Sequence, residues 1–122
     1  MADTTNRIAG IAYLSVEGKR YQLAGDLAYS PTLTVKETAI GQDAVHGYIE
    51  KPHAPFISGT LRDGNGITVA DFDAMTNVNI TLELANGKTV IGRNMWTVDA
   101  REVKTQEGTF EVKWEGPLVE EA

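Results

Sequence analysis

The sequence contains no cysteine, which excludes a disulfide framework, a thiolate metal site and a cysteine nucleophile. Histidine is nearly as scarce. His46 and His53 are separated by seven positions with Pro52 between them, so they form no i, i+4 metal pair, and no third ligand presents itself. No Gly-x-Ser-x-Gly elbow supplies a nucleophile for either imidazole to activate, and no Walker or dinucleotide glycine loop is present. No apolar run approaches the roughly 20 residues of a membrane-spanning helix. The opening residues Met1 to Arg7 lack a basic region followed by an apolar stretch, so no secretory signal is read and folding in the cytoplasm is expected. Cations are the minority charge: 11 Lys and Arg stand against 17 Asp and Glu, for a net charge of -6 and a pI near 4.8. Such a balance argues against a surface that grips DNA or anionic lipid by neutralising phosphates.

Several short matches to chemical motifs dissolve on inspection. Asp63-Gly64-Asn65-Gly66 begins like a calcium loop, but Ile67 and Thr68 stand where an oxygen ligand and a glycine are needed, so it reads as a turn. Asn79-Ile80-Thr81 fits a glycosylation pattern but reads as strand. Glu102, Glu107, Glu111 and Glu115 alternate with Lys104 and Lys113, the pattern of a solvated sheet face rather than of an acid/base pair. No catalytic residue, metal or cofactor is expected.

What is present is an ordinary globular composition. The 122 residues are 42% hydrophobic and 23% charged, with a mean hydropathy of -0.22, enough for a single domain with one core. Apolar residues alternate with period two over most of the chain and glycine punctuates them, which predicts a mainly β fold. Arg20 to Tyr29 is the clearest strand, with Tyr21, Leu23, Leu27 and Tyr29 facing one way. Ile8 to Val16 is expected to pair with it across Glu17-Gly18-Lys19. Phe56 to Arg62, Val78 to Leu84, Lys88 to Arg93 continuing through Arg101, and a last hairpin turning near Glu107-Gly108 complete the set. Thr68, with Asp71 three residues later, caps one short helix over about 68 to 76. Trp96 and Trp114 both fall on apolar faces, where core packing is the default. The architecture expected is a small β-sandwich or partly closed β-barrel with one short α-helix.

From Ser30 to Pro55 the alternation fails, and Pro31, Pro52 and Pro55 interrupt the chain. Loops beyond about 12 to 15 residues in a compact domain are usually functional or disordered. This one carries Leu33, Val35, Ile40, Val45, Tyr48 and Ile49, which would be costly to leave in water. A long loop seeking a partner surface, on a chain with no active site, points to self-association.

Taken in order, Asn6-Arg7-Ile8-Ala9-Gly10, Tyr29-Ser30-Pro31, Gly41-Gln42-Asp43-Ala44-Val45-His46-Gly47-Tyr48, Pro55-Phe56-Ile57-Ser58-Gly59, Leu82-Glu83-Leu84-Ala85-Asn86-Gly87-Lys88 and Glu107 through Gly116 resemble the tail tube proteins of Mu-like contractile-tailed phages over nearly the whole chain. The resemblance implies a virion protein assembled in the host cytoplasm, whose homohexameric rings stack into a hollow tube that conducts DNA. Four strands per subunit would line the channel. Its implied partners are copies of itself, the tail sheath, the baseplate or tube initiator, the tail terminator, and tape measure protein and DNA in the lumen, with no membrane. Residues 1-122 then form one tail-tube domain, with an N-terminal arm over 1-7, an assembly loop over 30-55 and an acidic C-terminal tail over 117-122.

Expected lumen-facing residues are the polar strand faces Gln22, Asp26, Ser58, Thr60, Arg62, Glu111, Lys113 and Glu115, with Arg62 and Lys113 best paired to Asp26 or Glu111. Expected subunit and ring contacts are Arg7, Leu33, Val35, Ile40, Val45, His46, Tyr48, Ile49 and His53. Two other readings stand beside this one: a tailocin or type VI secretion-like inner-tube subunit, and a small-ligand binding β-barrel built around an apolar cavity.

Overall fold

The computed structural model describes residues 3, 5-64 and 66-121. Met1, Ala2 and Thr4 of the expected arm, Asn65 of the expected turn and Ala122 lie outside the described residues. The elements run β1 (Tyr13–Val16), β2 (Lys19–Tyr21), β3 (Leu23–Ser30), β4 (Thr34–Ile40), β5 (Val45–Pro52), β6 (Phe56–Arg62), α1 (Val69–Asp73), β7 (Val78–Glu83), β8 (Thr89–Val98), β9 (Val103–Lys104), β10 (Thr109–Glu115) and β11 (Leu118–Glu121).

All strand pairs are antiparallel, and all but β4-β5, a separate two-stranded sheet, fall in two layers. One layer is β2-β1-β7-β8 with β11 on the far side of β8, and the other is β3-β6-β10 with β9 and the end of β8. Strand β8 belongs to both. Residues 90-93 pair with β11 and residues 96-98 with β10, and the strand turns between the layers at Asn94, which takes φ 55° and donates its N–H to Asn79 Oδ1 at 3.1 Å. The register runs on through the bend, Lys113 facing Val98, Glu115 facing Trp96, Leu118 facing Arg93 and Glu121 facing Val90. β10 and β11 are thus one long strand interrupted at Gly116-Pro117, where proline cannot donate to the ladder. The expected acidic tail is a paired strand with Val119 in the core.

Side chains from both layers fill a single core that includes Leu14, Ile57, Leu61, Ile80, Leu82, Phe110 and Trp114. The helix closes one end. Thr68 Oγ1 accepts from Asp71 N while Asp71 Oδ2 accepts from Thr68 N, the capping box expected from sequence. Five residues cannot hold a helix by themselves, so tertiary contacts must. Phe72 is fully buried against Tyr21, Phe110 and Trp114, with ring centroids 5.3, 5.2 and 6.4 Å away. Thr97 Oγ1 donates to the Phe72 carbonyl at 2.8 Å, and Trp114 Nε1 donates to Met75 Sδ at 3.4 Å.

Four expectations need correction. The expected strand from Ile8 begins only at Tyr13, because its partner β7 ends at Glu83 opposite Tyr13 and leaves Ile8 to Ala12 without a ladder. The expected strand from Arg20 to Tyr29 divides at Gln22 between the two layers, with a bulge at Gly25-Asp26 where Asp26 takes φ 54°. Trp96 is 43% exposed instead of buried. The long loop is largely a β-hairpin of β4 and β5, seven paired positions from Thr34↔Pro52 to Ile40↔Val45 with His46 as the bulged residue. Its strands lack alternation because neither face meets the chain's own core: every residue of β5 is exposed.

Candidate assembly surfaces

The eight polar residues expected to share one wall are brought together by the second layer. Ser58 stands across from Lys113 and Thr60 from Glu111, while Arg62 faces Thr109 and Glu115 faces Phe56. All project away from the core face that carries Ile57, Leu61, Phe110, Val112 and Trp114. Asp26 reaches the same face from the bulge in β3, and Gln22 lies just beyond the strand end, its carbonyl accepting from Arg62 N at 3.0 Å. Asp26, Ser58, Thr60, Asp99, Glu111 and Lys113 border a shallow concavity of about 360 Å³.

The cations on this face pair differently from expectation. Arg62 Nη1 donates to the Glu107 carbonyl at 3.2 Å, and Lys113 Nζ lies 3.9 Å from Glu115 and 4.7 Å above the Phe56 ring. Lys113 and Glu115 are two positions apart on one strand and so share a face, whereas Asp26 sits on the bulge. Among the described residues neither Asp26 nor Glu111 has a cation within ion-pair range. Arg62 likewise has no carboxylate in range among the described residues, so the eight residues, three carboxylates against two cations, leave the face with one negative charge in excess.

The hairpin is the second surface. β4 and β5 pair only with each other, and cross-strand partners share a face. One face carries Lys36, Thr38, Ile40, Val45 and Tyr48; the other carries Leu33, Val35, Ile49 and Lys51. Exposure of the large apolar groups runs from 40% at Val35 to 74% at Ile40. Of the two expected histidine contacts, both are engaged within the chain. His46 Nε2 meets Asp43 Oδ1 at 2.8 Å, and this bond holds the Asp43 carboxyl below the usual carboxylate range. The same imidazole lies over Gly41, where a Cβ would clash with the ring. His53 Nδ1 meets the Thr32 carbonyl at 2.9 Å, pinning the hairpin's base. Sequence reasoning took the segment's apolar content correctly but had no signal for the pairing, since period two shows only where one face is buried.

The third surface adjoins the N-terminus. Arg7 Nε donates to the Ala85 carbonyl at 2.9 Å, tying residues 7-12 to the β7-β8 turn. Between this segment and β3 opens a groove of about 510 Å³ whose walls include Ile8, Ile11, Leu23, Leu27 and Leu84. Arg7 is an expected contact but the groove is not, its trace in the sequence being Ile8 and Ile11 on opposite faces of the expected strand. At the other terminus Glu121 Oε2 accepts from Tyr29 OH at 2.9 Å and from Lys88 Nζ at 2.8 Å. No group of three or more potential metal ligands occurs among the described residues.

Comparison with known proteins places this geometry. No curated protein matches the chain. Solved structures with the same fold include a chain of the sheath-tube complex of the extracellular contractile injection system PVC in its extended state, 12% identical with a TM-score of 0.59 over 98% of this chain and 94% of that one. A chain from the sheath/tube terminator of the same system is 13% identical with a TM-score of 0.56, covering 91% and 92% of the two chains. A chain of the anti-feeding prophage tube-terminating cap is 12% identical with a TM-score of 0.56, covering 100% and 99%. The family model described as phage tail tube protein matches residues 5–121. Nearly the whole β-sandwich, its hairpin included, falls inside that match, and the chain belongs to the phage tail tube family as a structural component of the virion.

Proposed function

We propose that this subunit forms hexameric rings that stack into the hollow inner tube of a contractile tail and conduct DNA, with no catalytic role. The observation that carries this is the hairpin, apolar on both faces and uncovered by its own chain, a liability in a monomer and an asset between copies. The layer β3-β6-β10 with the end of β8 supplies four strands to the channel wall. Its open edge at β3 offers the N–H and C=O groups that a neighbouring subunit pairs. Gln22, Asp26, Ser58, Thr60, Arg62, Glu111, Lys113 and Glu115 then face the lumen. The eight residues carry one net negative charge per subunit, about -6 per ring, on rings whose whole-chain charge is about -36, so the tube as a whole repels phosphates and the duplex slides instead of sticking.

The hairpin, the arm and the C-terminal segment carry contacts between subunits and rings. Sheath, initiator, terminator and tape measure protein are the partners in this reading, and assembly takes place in the host cytoplasm. The solved neighbours come from a sheath-tube complex, a sheath/tube terminator and a tube-terminating cap, which supports the plan and also favours, as a second reading, a subunit of a tailocin-like injection device. Sheath and capsid genes beside this one separate the two readings.

Negative-stain electron microscopy of concentrated protein, with light scattering across a dilution series, tests the proposal. Rings and tubes with sixfold views are expected. Replacing residues 34-52 by a short linker is expected to leave a folded monomer; strictly monomeric particles of the unmodified chain at every concentration overturn the reading.

A further inference from the structure

Exposed apolar side chains are not spread over this molecule. Most fall in two places: six, Leu33, Val35, Ile40, Val45, Tyr48 and Ile49, belong to the hairpin and its base, and Ile8 and Ile11 belong to the N-terminal segment beside β3, while Tyr13 and Trp96 stand apart on β1 and β8. The first group is a projection: seven residues at about 3.3 Å each extend roughly 23 Å from the sandwich. The second group borders a hollow, the groove of about 510 Å³ between residues 8-12 and β3. No hairpin residue lines that groove within the same chain. Leu23, Leu27 and Tyr29, the inward residues of β3, form part of its wall, so the groove is an opening between the two layers.

We propose that the groove between Ile8–Ala12 and β3 receives the tip of the β4-β5 hairpin from a second copy of this chain. This rests on the tube reading above and specifies which surfaces meet. One pair of opposite charges also matches the two, with Glu50 standing across the ladder from Lys36 on the same hairpin face. Lys36 stands on the hairpin face that carries Ile40 and Tyr48, with its Nζ 5.3 Å above the Tyr48 ring. It has no carboxylate in ion-pair range among the described residues, whereas Lys51 is paired with Glu37 at 2.5 Å. Asp26, on the bulge where the polar face meets the groove, lines both and has no cation in range among the described residues. A projection on one part of the surface and its complement on another make a heterologous contact, which propagates from copy to copy instead of closing in a twofold dimer. The hairpin's second apolar face, with Val35 and Ile49, remains for a further neighbour, so one hairpin is clasped between copies rather than laid on a single flat surface. The His46-Asp43 bond and the close seating of His46 on Gly41 keep the tip in one shape before it docks, which lowers the ordering cost of association.

The absence of native cysteine makes the contact directly testable. The chain carrying both Ile40→Cys and Ile11→Cys is assembled, viewed by electron microscopy and oxidised; a ladder of covalent multimers on a non-reducing gel is expected. The pair Ile40→Cys and Thr81→Cys, with Thr81 on the outer face of β7, is the control. Tubes that form normally but cross-link no more than the control overturn this docking and leave the tube reading intact. Absence of tubes from the unmodified chain overturns both. Should the cysteine pair itself block assembly, charge reversal reads the same contact: Lys36→Glu is expected to lower tube yield about tenfold, and Lys36→Glu with Asp26→Lys to restore most of it. A double variant no better than the single one overturns the proposal.

Discussion

The Tyr29 hydroxyl donates to Glu121 Oε2 at 2.9 Å, joining β3 to the last described residue of the chain across 92 positions. Lys88 Nζ completes the cluster from the β7-β8 turn at 2.8 Å. The hydrogen bond from Lys88, then that from Tyr29, lowers the Glu121 carboxyl below its ordinary 4.5. A lowered carboxyl contributes stability that is complete above the ordinary value and fades as pH falls through the folded one. The bond to Glu121 raises the Tyr29 phenol above its ordinary 10.0, so its contribution is complete below that value and is lost as pH rises through the folded one. Protection of the amides of residues 119-121, taken relative to the intrinsic exchange rate at each pH, is therefore expected to fall at both extremes, below about pH 4 and above about pH 10, and Glu121→Gln is expected to remove the acid limb. An acid limb unchanged in that variant counts against the cluster.

Gly116 faces Met95 across the bend, where a Cβ would lie 2.9 Å from Met95 Cγ and 3.2 Å from its Cα. At Gly92 a Cβ would fall 2.9 Å from Ile57 Cδ1 and closer still to Met95 Sδ. Met95 is fully buried. Gly116→Ala presses on backbone and is expected to cost about 1–3 kcal/mol, by denaturant titration. Gly18→Ala, at an exposed turn with nothing within 4 Å of its Cβ, isolates the conformational cost of its φ of 83° for comparison.

Phe72 is the one fully buried residue of a helix too short to stand alone. Phe72→Ala is expected to lose about 3–5 kcal/mol and to expose Trp114, whose ring lies 6.4 Å away. Thermal melts and a red shift of tryptophan emission read the two effects together.

The two tryptophans divide by environment, Trp114 at 0% exposure and Trp96 at 43%. Iodide is expected to quench only part of the emission, and Trp96→Phe to remove that part with little change in stability. If quenching survives in Trp96→Phe, the sandwich is open near Trp114.

Tyr48→Ser and Ile49→Ser remove one apolar group from each face of the hairpin. Both side chains are more than half exposed, so the folded monomer is expected to keep its stability within about 0.5 kcal/mol while sedimentation shows assembly shifted to higher concentration. A lowered melting temperature would place these groups in the monomer's own core.

Most of the sandwich was legible because one face of each strand is wet. Phe110, Val112 and Trp114 alternate with Glu111, Lys113 and Glu115, and Val78, Ile80 and Leu82 with Asn79, Thr81 and Glu83; burial follows both patterns. Thr68 and Asp71 announced the helix by capping chemistry alone. The hairpin from Thr34 to Pro52 was not legible as strand, because both its faces are solvated in the single chain and alternation needs an inside and an outside.

The amino-acid order by itself determined the β class, the core-facing residues of the paired strands, the helix and its cap, and the apolar content of residues 33-49, since each depends on neighbours a few positions away. Only the tertiary structure decided that β8 changes layer at Asn94, that Gln22 parts β2 from β3, that the terminal acidic segment is a strand latched by Tyr29 and Lys88, and that a groove opens beside Ile8 and Ile11. Those features join residues tens of positions apart, and local periodicity holds no information about which strand edges meet.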